Sequence, residues 1–253
     1  MTEFLLFTIY APIASWGDIA VGEIRGSWDR PSRSAILGIV GAALGIERHR
    51  EDEHAALSRG LRVAVCVRAT GAPLTDYHTA QTAPDSTLKR TVFPTRRHLL
   101  ASDSLDTALS RRSYRQDAVN VVALWMAPPD TGGTAIYNLA AIERALRHPH
   151  FPLFAGRKAN VLGLPLGAHL VHANTLAAAF RQHDAVPDAL TEFHALLRDL
   201  RRDRSEVSHD PCEGFVSGLE PLRHDVRRDN ILSRRKWQFA DRVVHVGVLG
   251  GES

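Results

Sequence analysis

The order in which strand-type and helix-type hydrophobic patterns follow one another is the feature of this sequence that most restricts its fold. Four runs alternate or are rich in β-branched residues, which predicts strands, and two carry apolar residues at helical spacing. In chain order they are a strand at 2–11, a helix that starts at Ser32, strands at 61–69 and 118–126, a helix over about 134–147, and a strand at 159–166. This β-α-β-β-α-β order predicts an α+β protein with a ferredoxin-like fold.

The first predicted helix is rich in glycine. Ser32 stands where an N-cap is expected, ahead of an apolar stripe that begins at Ile36. Gly38, Gly41 and Gly45 are three and four residues apart, so they fall close to one face of the helix and are expected to let another backbone approach closely. A phosphate-binding loop needs its glycines before the helix, so this pattern indicates packing and not phosphate binding.

Arginine accounts for 28 of the 31 basic residues. Arginine can bind phosphate bidentately and stack on bases, as lysine cannot. The codon bias of a GC-rich genome explains such an excess equally well, so the positions of the arginines have to carry the interpretation. The formal net charge of +3 is compatible with a polyanionic partner and does not require one.

The remaining composition excludes several classes of protein. Cys66 and Cys212 are the only cysteines, so we expect two buried thiols and no disulfide framework. Closely spaced histidines lack carboxylate or thiolate partners at ligand spacing, so we predict no metal and no cofactor. The sequence has no run of about 18 apolar residues and no signal-peptide pattern, so we expect a cytoplasmic protein without a membrane partner.

A long basic insertion separates the second predicted strand from the third. It spans about residues 79–113 and has little regular periodicity. Its cations are Lys89, Arg90, Arg96, Arg97, Arg111 and Arg112. Loops of this length in compact domains are usually functional or disordered.

Both ends of the insertion carry candidate RNA ligands. Tyr77 and His78 precede it, where they could stack on bases, perform acid–base chemistry on RNA, or belong to an ordinary turn. At its end, strand alternation sends Arg112 and Tyr114 to one side of the chain and Arg111 to the other. We expect one of these sides to meet phosphates.

Two further segments could bind anions. Arg157 and Lys158 follow a glycine that permits close backbone approach, although alone they are typical of a solvated turn. Ser32, Arg33 and Ser34 start a helix, where free amides, hydroxyls and a guanidinium suit an anion, and simple capping is an equally good interpretation.

Beyond residue 166 the patterns are sparser. We predict a helix over about 187–201 and a closing strand over 243–249. The predicted organisation is therefore a ferredoxin-like body at 1–165 with the insertion at about 79–113, and a smaller C-terminal extension at 166–253.

Five segments in this order resemble the CasD family, the Cas-five subunits of type I CRISPR Cascade complexes, and most closely its type I-E members. They are Ala11-Pro-Ile-Ala-Ser-Trp-Gly17, Arg30-Pro-Ser-Arg-Ser-Ala-Ile-Leu-Gly-Ile-Val-Gly-Ala-Ala-Leu-Gly-Ile46, Asp76-Tyr-His-Thr79, Arg112-Ser-Tyr-Arg-Gln-Asp-Ala118 and Pro152-Leu-Phe-Ala-Gly-Arg-Lys158. The chain departs from shorter members at about 180–214, which resembles an insertion of unknown contacts.

The resemblance implies an RRM-like RAMP fold with a protruding β-hairpin thumb at about 79–113. In this family the body and thumb hold the 5′ handle of the CRISPR RNA. The residues that we expect to bind RNA are Arg25, Ser32, Arg33, Ser34, Tyr77, His78, Lys89, Arg90, Arg111, Arg112, Tyr114, Arg157 and Lys158. The implied partners are the CRISPR RNA, the backbone and large subunits of Cascade and, indirectly, target DNA.

The function predicted from these features is RNA binding without catalysis. Two alternatives stay open. The first is a metal-independent endoribonuclease, as in type I-C relatives, in which Tyr77, His78 or Lys158 moves protons. The second is a protein scaffold in which RNA contacts are incidental.

Overall fold

The structure is a computed structural model that describes residues 1–17, 20, 22–128, 137–185, 197 and 204–250. The strands are β1 (Thr2–Ala14), β2 (Trp16–Gly17), β3 (Ile24–Arg25), β4 (Ser27–Trp28), β5 (Leu61–Ala69), β6 (Ala72–Thr82), β7 (Asp106–Met126), β8 (His169–Ala173), β9 (Ser205–His209), β10 (Glu220–Ser233) and β11 (Gln238–Leu249). The helices are α1 (Arg33–Ala43), α2 (Glu51–Gly60), α3 (Asp85–Leu88), α4 (Arg96–Leu100), α5 (Leu139–Arg147) and α6 (Leu176–Ala185).

A single large sheet organises this mixed α/β chain. In the described part it contains nine strands, seven of them in the order β10-β11-β9-β5-β7-β1-β8. Strands β6 and β3 pair with β7 outside that path. The pairs are antiparallel, apart from the parallel pair of β3 and β7.

Both faces of the central sheet are buried, which explains why its strands are almost continuously apolar. Leu5, Phe7 and Ile9 of β1 pack with residues of α1 and α5 on one face. Phe4 and Leu6 pack on the other face with residues of α6. Each is fully buried, and such a side chain contributes about 1.5–3 kcal/mol to folding.

The first helix follows its sequence signals. The Ser32 side chain accepts a hydrogen bond from the Ala35 amide at 3.2 Å, as an N-cap does. Gly45 has φ +77° just after the helix, a conformation that glycine adopts without strain. Gly41 lies against the His54 ring: a Cβ on Gly41 would be 3.4 Å from the Cε1 atom of His54. The predicted cap is therefore confirmed, whereas the groups that approach Gly38, Gly41 and Gly45 are side chains and not the predicted backbone.

The predicted fourth strand is wrong. Residues 159–166 form a loop that is bridged only at Phe154 and Val161, and the fourth strand of the central group is β8, paired with β1. The segment is apolar because it covers β1: Leu166 is buried, and Gly163 lies so close to Tyr10 that a Cβ would be 2.6 Å from its ring. Burial of a covering loop and burial of a strand leave the same pattern in the sequence.

The predicted insertion is a long antiparallel hairpin. The eleven residues of β6 pair with the first half of β7, from Ala72 opposite Gln116 to Thr82 opposite Asp106. Tyr77 and His78 therefore lie in a strand, and the interpretation of them as an ordinary turn is wrong. Helices α3 and α4 occupy the end of this β6–β7 hairpin, where the side chains are mostly exposed.

The C-terminal part joins the same sheet. The predicted closing strand is confirmed as the end of β11, and β10 pairs with it in a hairpin that the sequence patterns did not predict. The predicted helix at 187–201 lies outside the described residues, except for Leu197, which is buried. The division at residue 165 stays a prediction, with β8, β9, β10 and β11 in one sheet with β1 and β5.

The two cysteines differ in their surroundings. Cys66 is buried, whereas Cys212 is only partly buried, so the prediction of two buried thiols is correct for Cys66 alone. Burial raises the pKa of Cys212 to about 12, with Asp210 and Glu213 adding to the effect. The Cys212 thiol is thus protonated at neutral pH. No helix among the described residues combines the length and apolarity needed to span a bilayer.

Candidate nucleic-acid interface

The base of the β6–β7 hairpin brings three predicted RNA ligands together. The short strand β3 runs parallel to β7, with Ile24 beside Arg111 and Arg25 beside Arg112. The Arg111 amide donates to the Glu23 carbonyl at 2.8 Å, which ties the loop to the strand. Arg25 is exposed and shares a face of the sheet with Arg112, whereas Arg111 points to the other face, so the guanidinium groups of Arg25 and Arg112 can meet phosphate at one place.

A tyrosine and an arginine face each other across the hairpin. Tyr77 stands opposite Arg111, and the Arg111 guanidinium lies 6.0 Å from the ring centroid. Tyr77 is 57% exposed, which leaves ring surface available for stacking. The adjacent His78 stands opposite Ser110, and strand alternation directs it to the other face.

A second aromatic–cation pair forms where the 154–161 loop meets β7. The Arg157 guanidinium lies 4.6 Å from the centroid of the Tyr114 ring. Its Nη1 atom is buried and has no hydrogen-bond partner among the described residues. Lys158 is exposed beside it. The structure thus brings Tyr114 and Arg157 together, although 43 residues separate them in sequence.

Gly156 fixes the position of this loop. Its φ is +89°, and a Cβ on it would lie 1.8 Å from the Ser15 carbonyl oxygen. The Ser15 amide donates to the Ala155 carbonyl at 3.1 Å, and the Ser15 hydroxyl donates to the Ser113 carbonyl at 3.2 Å. The end of β1, the base of the hairpin and the Arg157 loop are therefore locked to one another.

The Arg33 side chain is not available to RNA, so its predicted role as a ligand is wrong. Arg33 is only 5% exposed, and its guanidinium donates to Asp210, Ser58 and the Leu61 carbonyl. Burial, the largest influence, lowers the pKa of this guanidinium. The Arg33 amide donates to the Asp229 carboxylate at 2.7 Å. The anion at the start of α1 is therefore the protein's own carboxylate.

Arg242 completes this buried ionic network. It donates to Asp210 at 2.6 Å and to Asp229 at 2.6 Å, so that two arginines share two carboxylates. Asp210 also accepts from the Val63 amide at 2.9 Å. The network joins α1, β5, β10 and β11, and removing one partner of such a group costs about 3–5 kcal/mol.

A cleft of about 1200 Å³ lies between α1 and the β10–β11 hairpin, and we call it the α1 cleft. The loop after β1, the start of α1 and the Arg157 loop form its other walls. Four of the predicted RNA ligands line it, namely Arg25, Ser32, Ser34 and Arg157. The Ser32 and Ser34 hydroxyls are 3.0 Å apart and partly buried.

The other predicted ligands lie outside the α1 cleft. They are Tyr77, His78, Lys89, Arg90, Arg111, Arg112, Tyr114 and Lys158. Among them, Lys89 and Arg90 follow α3 at the end of the hairpin and are exposed. Apart from the buried Arg33 and from Lys158 in the Arg157 loop, the predicted set therefore divides into a group along the hairpin and a group in the cleft, joined by the Arg25–Arg112 and Tyr114–Arg157 neighbours.

Sequence reasoning missed the aromatic groups of the cleft. Trp28 is 38% exposed, and the Arg227 guanidinium lies 3.9 Å from its ring centroid. Trp237 is 59% exposed, with Arg48 at 5.0 Å and Arg234 at 5.7 Å. The run Arg234-Arg235-Lys236-Trp237 was a usable signal, because adjacent cations and an aromatic are typical of nucleic-acid contacts.

Comparisons with known proteins agree with one another. A family model described as CRISPR-associated protein (Cas_Cas5) matches residues 4–245. The CRISPR system Cascade subunit CasD of Escherichia coli (strain K12) is 30% identical over 176 residues, which are 66% of this chain and 70% of that protein.

Two solved structures share the fold. A chain of a CRISPR RNA-guided surveillance complex has a TM-score of 0.60 and 23% identity, over 96% of this chain and 88% of that one. A crystal structure of a Cas protein has a TM-score of 0.58 and 22% identity, over 99% of this chain and 98% of that one.

Proposed function

The chain belongs to the Cas5 family of CRISPR-associated proteins, and on that basis we propose that it binds the 5′ handle of the CRISPR RNA as a non-catalytic subunit of a type I-E Cascade complex. The observation that carries this proposal is the meeting of Arg25 with Arg112, and of Arg157 with Tyr114, at the base of an exposed hairpin. Paired cations and aromatic rings are what a splayed single strand of RNA requires.

We assign the parts of the fold accordingly. Strands β1, β5, β7 and β8, with α1 and α5, would be the ferredoxin-like RAMP body. The β6–β7 hairpin would be the thumb, longer at its start than the predicted 79–113 because its pairing begins at Ala72. The C-terminal residues from 166 onward would form the extension that closes the α1 cleft through β10 and β11.

The handle would lie along the junction between thumb and body. Arg25 and Arg112 supply neighbouring positive charge for phosphates, Tyr114 offers a ring on the same face of β7, and Tyr77 offers one on the opposite face of the hairpin. Ser32 and Ser34 would act through hydroxyls at the cleft wall, and Arg157 and Lys158 would hold the strand from the facing loop. The exposed Lys89 and Arg90 would meet RNA farther along the thumb.

Absence of catalysis is part of the proposal. Metal-free cleavage by a 2′-hydroxyl needs groups that can take and give protons around one phosphate. Tyr77 and His78 are consecutive in β6, so they point to opposite faces of the hairpin. This geometry does not favour a joint role for them at one scissile bond.

The proposed partners follow from the same assignment. The exposed hairpin would also contact the backbone subunit of Cascade, and the protein would act in the cytoplasm with the large subunit and, indirectly, with target DNA.

The test uses the purified full chain and labelled precursor RNA that carries its own repeat, incubated in EDTA. A gel shift that requires the 5′ handle, with intact RNA on a denaturing gel, is the expected result. Discrete cleavage at the base of the repeat hairpin, lost in His78→Ala, would replace this proposal with the nuclease. Absence of any shift, together with unaffected complex assembly in Arg112→Ala, would favour a protein scaffold.

A further inference from the structure

The turn between β10 and β11 is held firmly against the helices. Arg48 donates to the Arg234 carbonyl at 2.9 Å and to the Arg235 carbonyl at 3.3 Å. The Glu51 carboxylate accepts from the Arg235 amide at 2.7 Å and from the Ser233 hydroxyl at 3.0 Å. These contacts fix a solvent-exposed turn in one position at the end of the α1 cleft, so its side chains are preorganised.

Arg234 is a partly buried cation that lacks an anion. Its Nη2 donates to the Ser34 carbonyl at 2.5 Å, and it packs so closely on α1 that a Cβ at Gly38 would be 3.1 Å from Nη2. Its Nε is buried without a hydrogen-bond partner among the described residues, and no carboxylate there forms an ion pair with it. Burial and the charge of Arg48 lower the pKa of Arg234 to about 10.

A charge in that situation favours a bound anion. Since its pKa remains near 10, Arg234 is still positive at neutral pH. A desolvated cation without a counterion is unfavourable, and a phosphate beside the guanidinium would supply the opposite charge.

Trp237 presents an aromatic surface at the same place. It is 59% exposed although it is among the largest apolar side chains, and its backbone has φ +57°, a conformation that costs free energy in any residue except glycine. Phe239 meets its ring edge-on at 5.7 Å, and Arg48 and Arg234 lie beside the ring. Strained, exposed and supported aromatic residues are typical of ligand sites.

The charge of the cleft selects between possible ligands. The charged residues that line it are Arg25, Arg157, Arg227, Arg228, Arg234, Asp229 and Asp241. Of the two acids, Asp229 is already engaged by Arg33 and Arg242. A positive cleft with a flat ring beside an unpaired guanidinium matches a nucleotide, which carries a base and a phosphate side by side.

We propose that the β10–β11 turn is a nucleotide-binding subsite, in which one base of the bound RNA stacks on Trp237 while the adjacent phosphate is held by Arg234 and Arg48. This subsite rests on the proposed RNA-binding function and extends it, since it continues the RNA path from Arg25 and Arg157 through the α1 cleft.

Binding of fluorescein-labelled CRISPR RNA to the full chain, followed by anisotropy, provides the first test. We expect Trp237→Ala and Arg234→Gln each to weaken binding by about tenfold, in the range known for loss of one base stack or one charged contact. Arg235→Gln is the matched control: it removes the same charge one residue away, from an exposed side chain, and should change affinity less than about twofold.

A second measurement locates the base. RNAs with one abasic position each are compared on wild type and Trp237→Ala: at one position the loss of the base should weaken wild type by about tenfold and leave Trp237→Ala unchanged. Trp237 is exposed, whereas Trp16 and Trp125 are buried. RNA binding should therefore quench the tryptophan fluorescence of wild type, and the quenched component should be the one that is absent in Trp237→Phe.

The outcomes separate this subsite from the broader function. If RNA binds with handle dependence, but neither variant nor any abasic position shows the expected loss, the subsite is wrong and the RNA-binding proposal stands. If both variants bind RNA normally and lose other Cascade subunits on purification, the turn is a protein contact. If wild type binds no RNA, both proposals fail.

Discussion

At the scale of single residues, Gly156 leaves less room for a side chain than any other glycine whose surroundings the structure describes. In Gly156→Ala the new Cβ would lie 1.8 Å from the Ser15 carbonyl oxygen, in a backbone with φ +89°. Backbone atoms cannot move aside as a flexible side chain can, so we expect a loss of about 2–4 kcal/mol in the free energy of unfolding. Urea denaturation measures this change.

Two other glycines separate the cost of the positive φ from the cost of the close Cβ contact. Gly214 also has positive φ (+84°) but has open space around it, whereas Gly17 has open space and no such φ. Gly214→Ala should therefore show only the cost of the backbone conformation, about 1 kcal/mol, and Gly17→Ala almost none. A Gly156→Ala protein no less stable than Gly214→Ala would mean that the Arg157 loop is not locked as described.

His209 makes stability depend on pH. Burial lowers its pKa, the charges of His245 and His224 act in the same direction, and the backbone and charge of Asp210 oppose them. The unfolded chain therefore binds more protons near pH 6.5 than the folded one, and stability falls as pH drops below that value. For one histidine the loss at pH 5.5 is at most about 1.4 kcal/mol.

Unfolding free energies at pH 7.5 and pH 5.5 test this assignment. The difference should shrink in His209→Gln and persist in His78→Gln, because His78 is exposed on the hairpin. His54, whose pKa is also lowered chiefly by burial, contributes with the same sign and remains in both variants. An unchanged difference in His209→Gln would assign the pH dependence to other groups.

At the scale of elements, the sequence predicts the strands and helices that are buried against the core, and it does not predict the exposed strands. Strands β1 and β5 and helix α1 have periodic apolar faces and local caps, so their positions could be predicted. Most of β6 and β10 is exposed and polar. Their conformation comes from pairing with β7 and β11, which no local pattern records.

The candidate site follows the same rule. Alternation along one strand was enough to separate Arg112 from Arg111. The burial and ion pairing of Arg33 were not predictable, because its partners Asp210 and Asp229 are 177 and 196 residues away in sequence. The role of Trp237 likewise depends on Arg48, in a turn of the chain distant from it.

The end of the β6–β7 hairpin should be separable from the body. Replacing residues 83–105 with Asn-Gly joins Thr82 to Asp106, which already face each other, through a two-residue turn. Since the replaced residues are mostly exposed, the free energy of unfolding should change by less than about 1 kcal/mol.

RNA binding by this shortened hairpin tests the predicted role of Lys89 and Arg90. Both are removed, so affinity for handle RNA should fall by about tenfold or more. The comparison that removes only the two charges is the double variant Lys89→Gln, Arg90→Gln in the full-length hairpin. If that pair weakens binding as much as the deletion, the charges account for the effect; if both proteins bind like wild type, the hairpin end does not contact RNA.

At the scale of the whole molecule, positive charge is concentrated by the fold and is small in total. The formal net charge is only +3, yet the hairpin base and the α1 cleft gather arginines from β3, β7, the Arg157 loop and β10. Several carboxylates elsewhere are paired, as Glu206 is with Arg30 and Arg223. Affinity for RNA should therefore depend on local cations and their phosphate contacts more than on total charge.

The salt dependence of RNA binding distinguishes affinity that comes from local phosphate contacts from affinity that comes from total charge. For single strands, the logarithm of the binding constant falls with the logarithm of salt concentration by about 0.7 for each phosphate contact. We expect Arg112→Gln to lower that slope by about 0.7 and to weaken binding at every salt concentration. Arg204→Gln removes the same charge from an exposed ion pair with Glu220, so its slope should equal that of wild type. Equal slopes for the two variants would mean that binding reports overall charge, and the hairpin base would lose its assignment as a phosphate site.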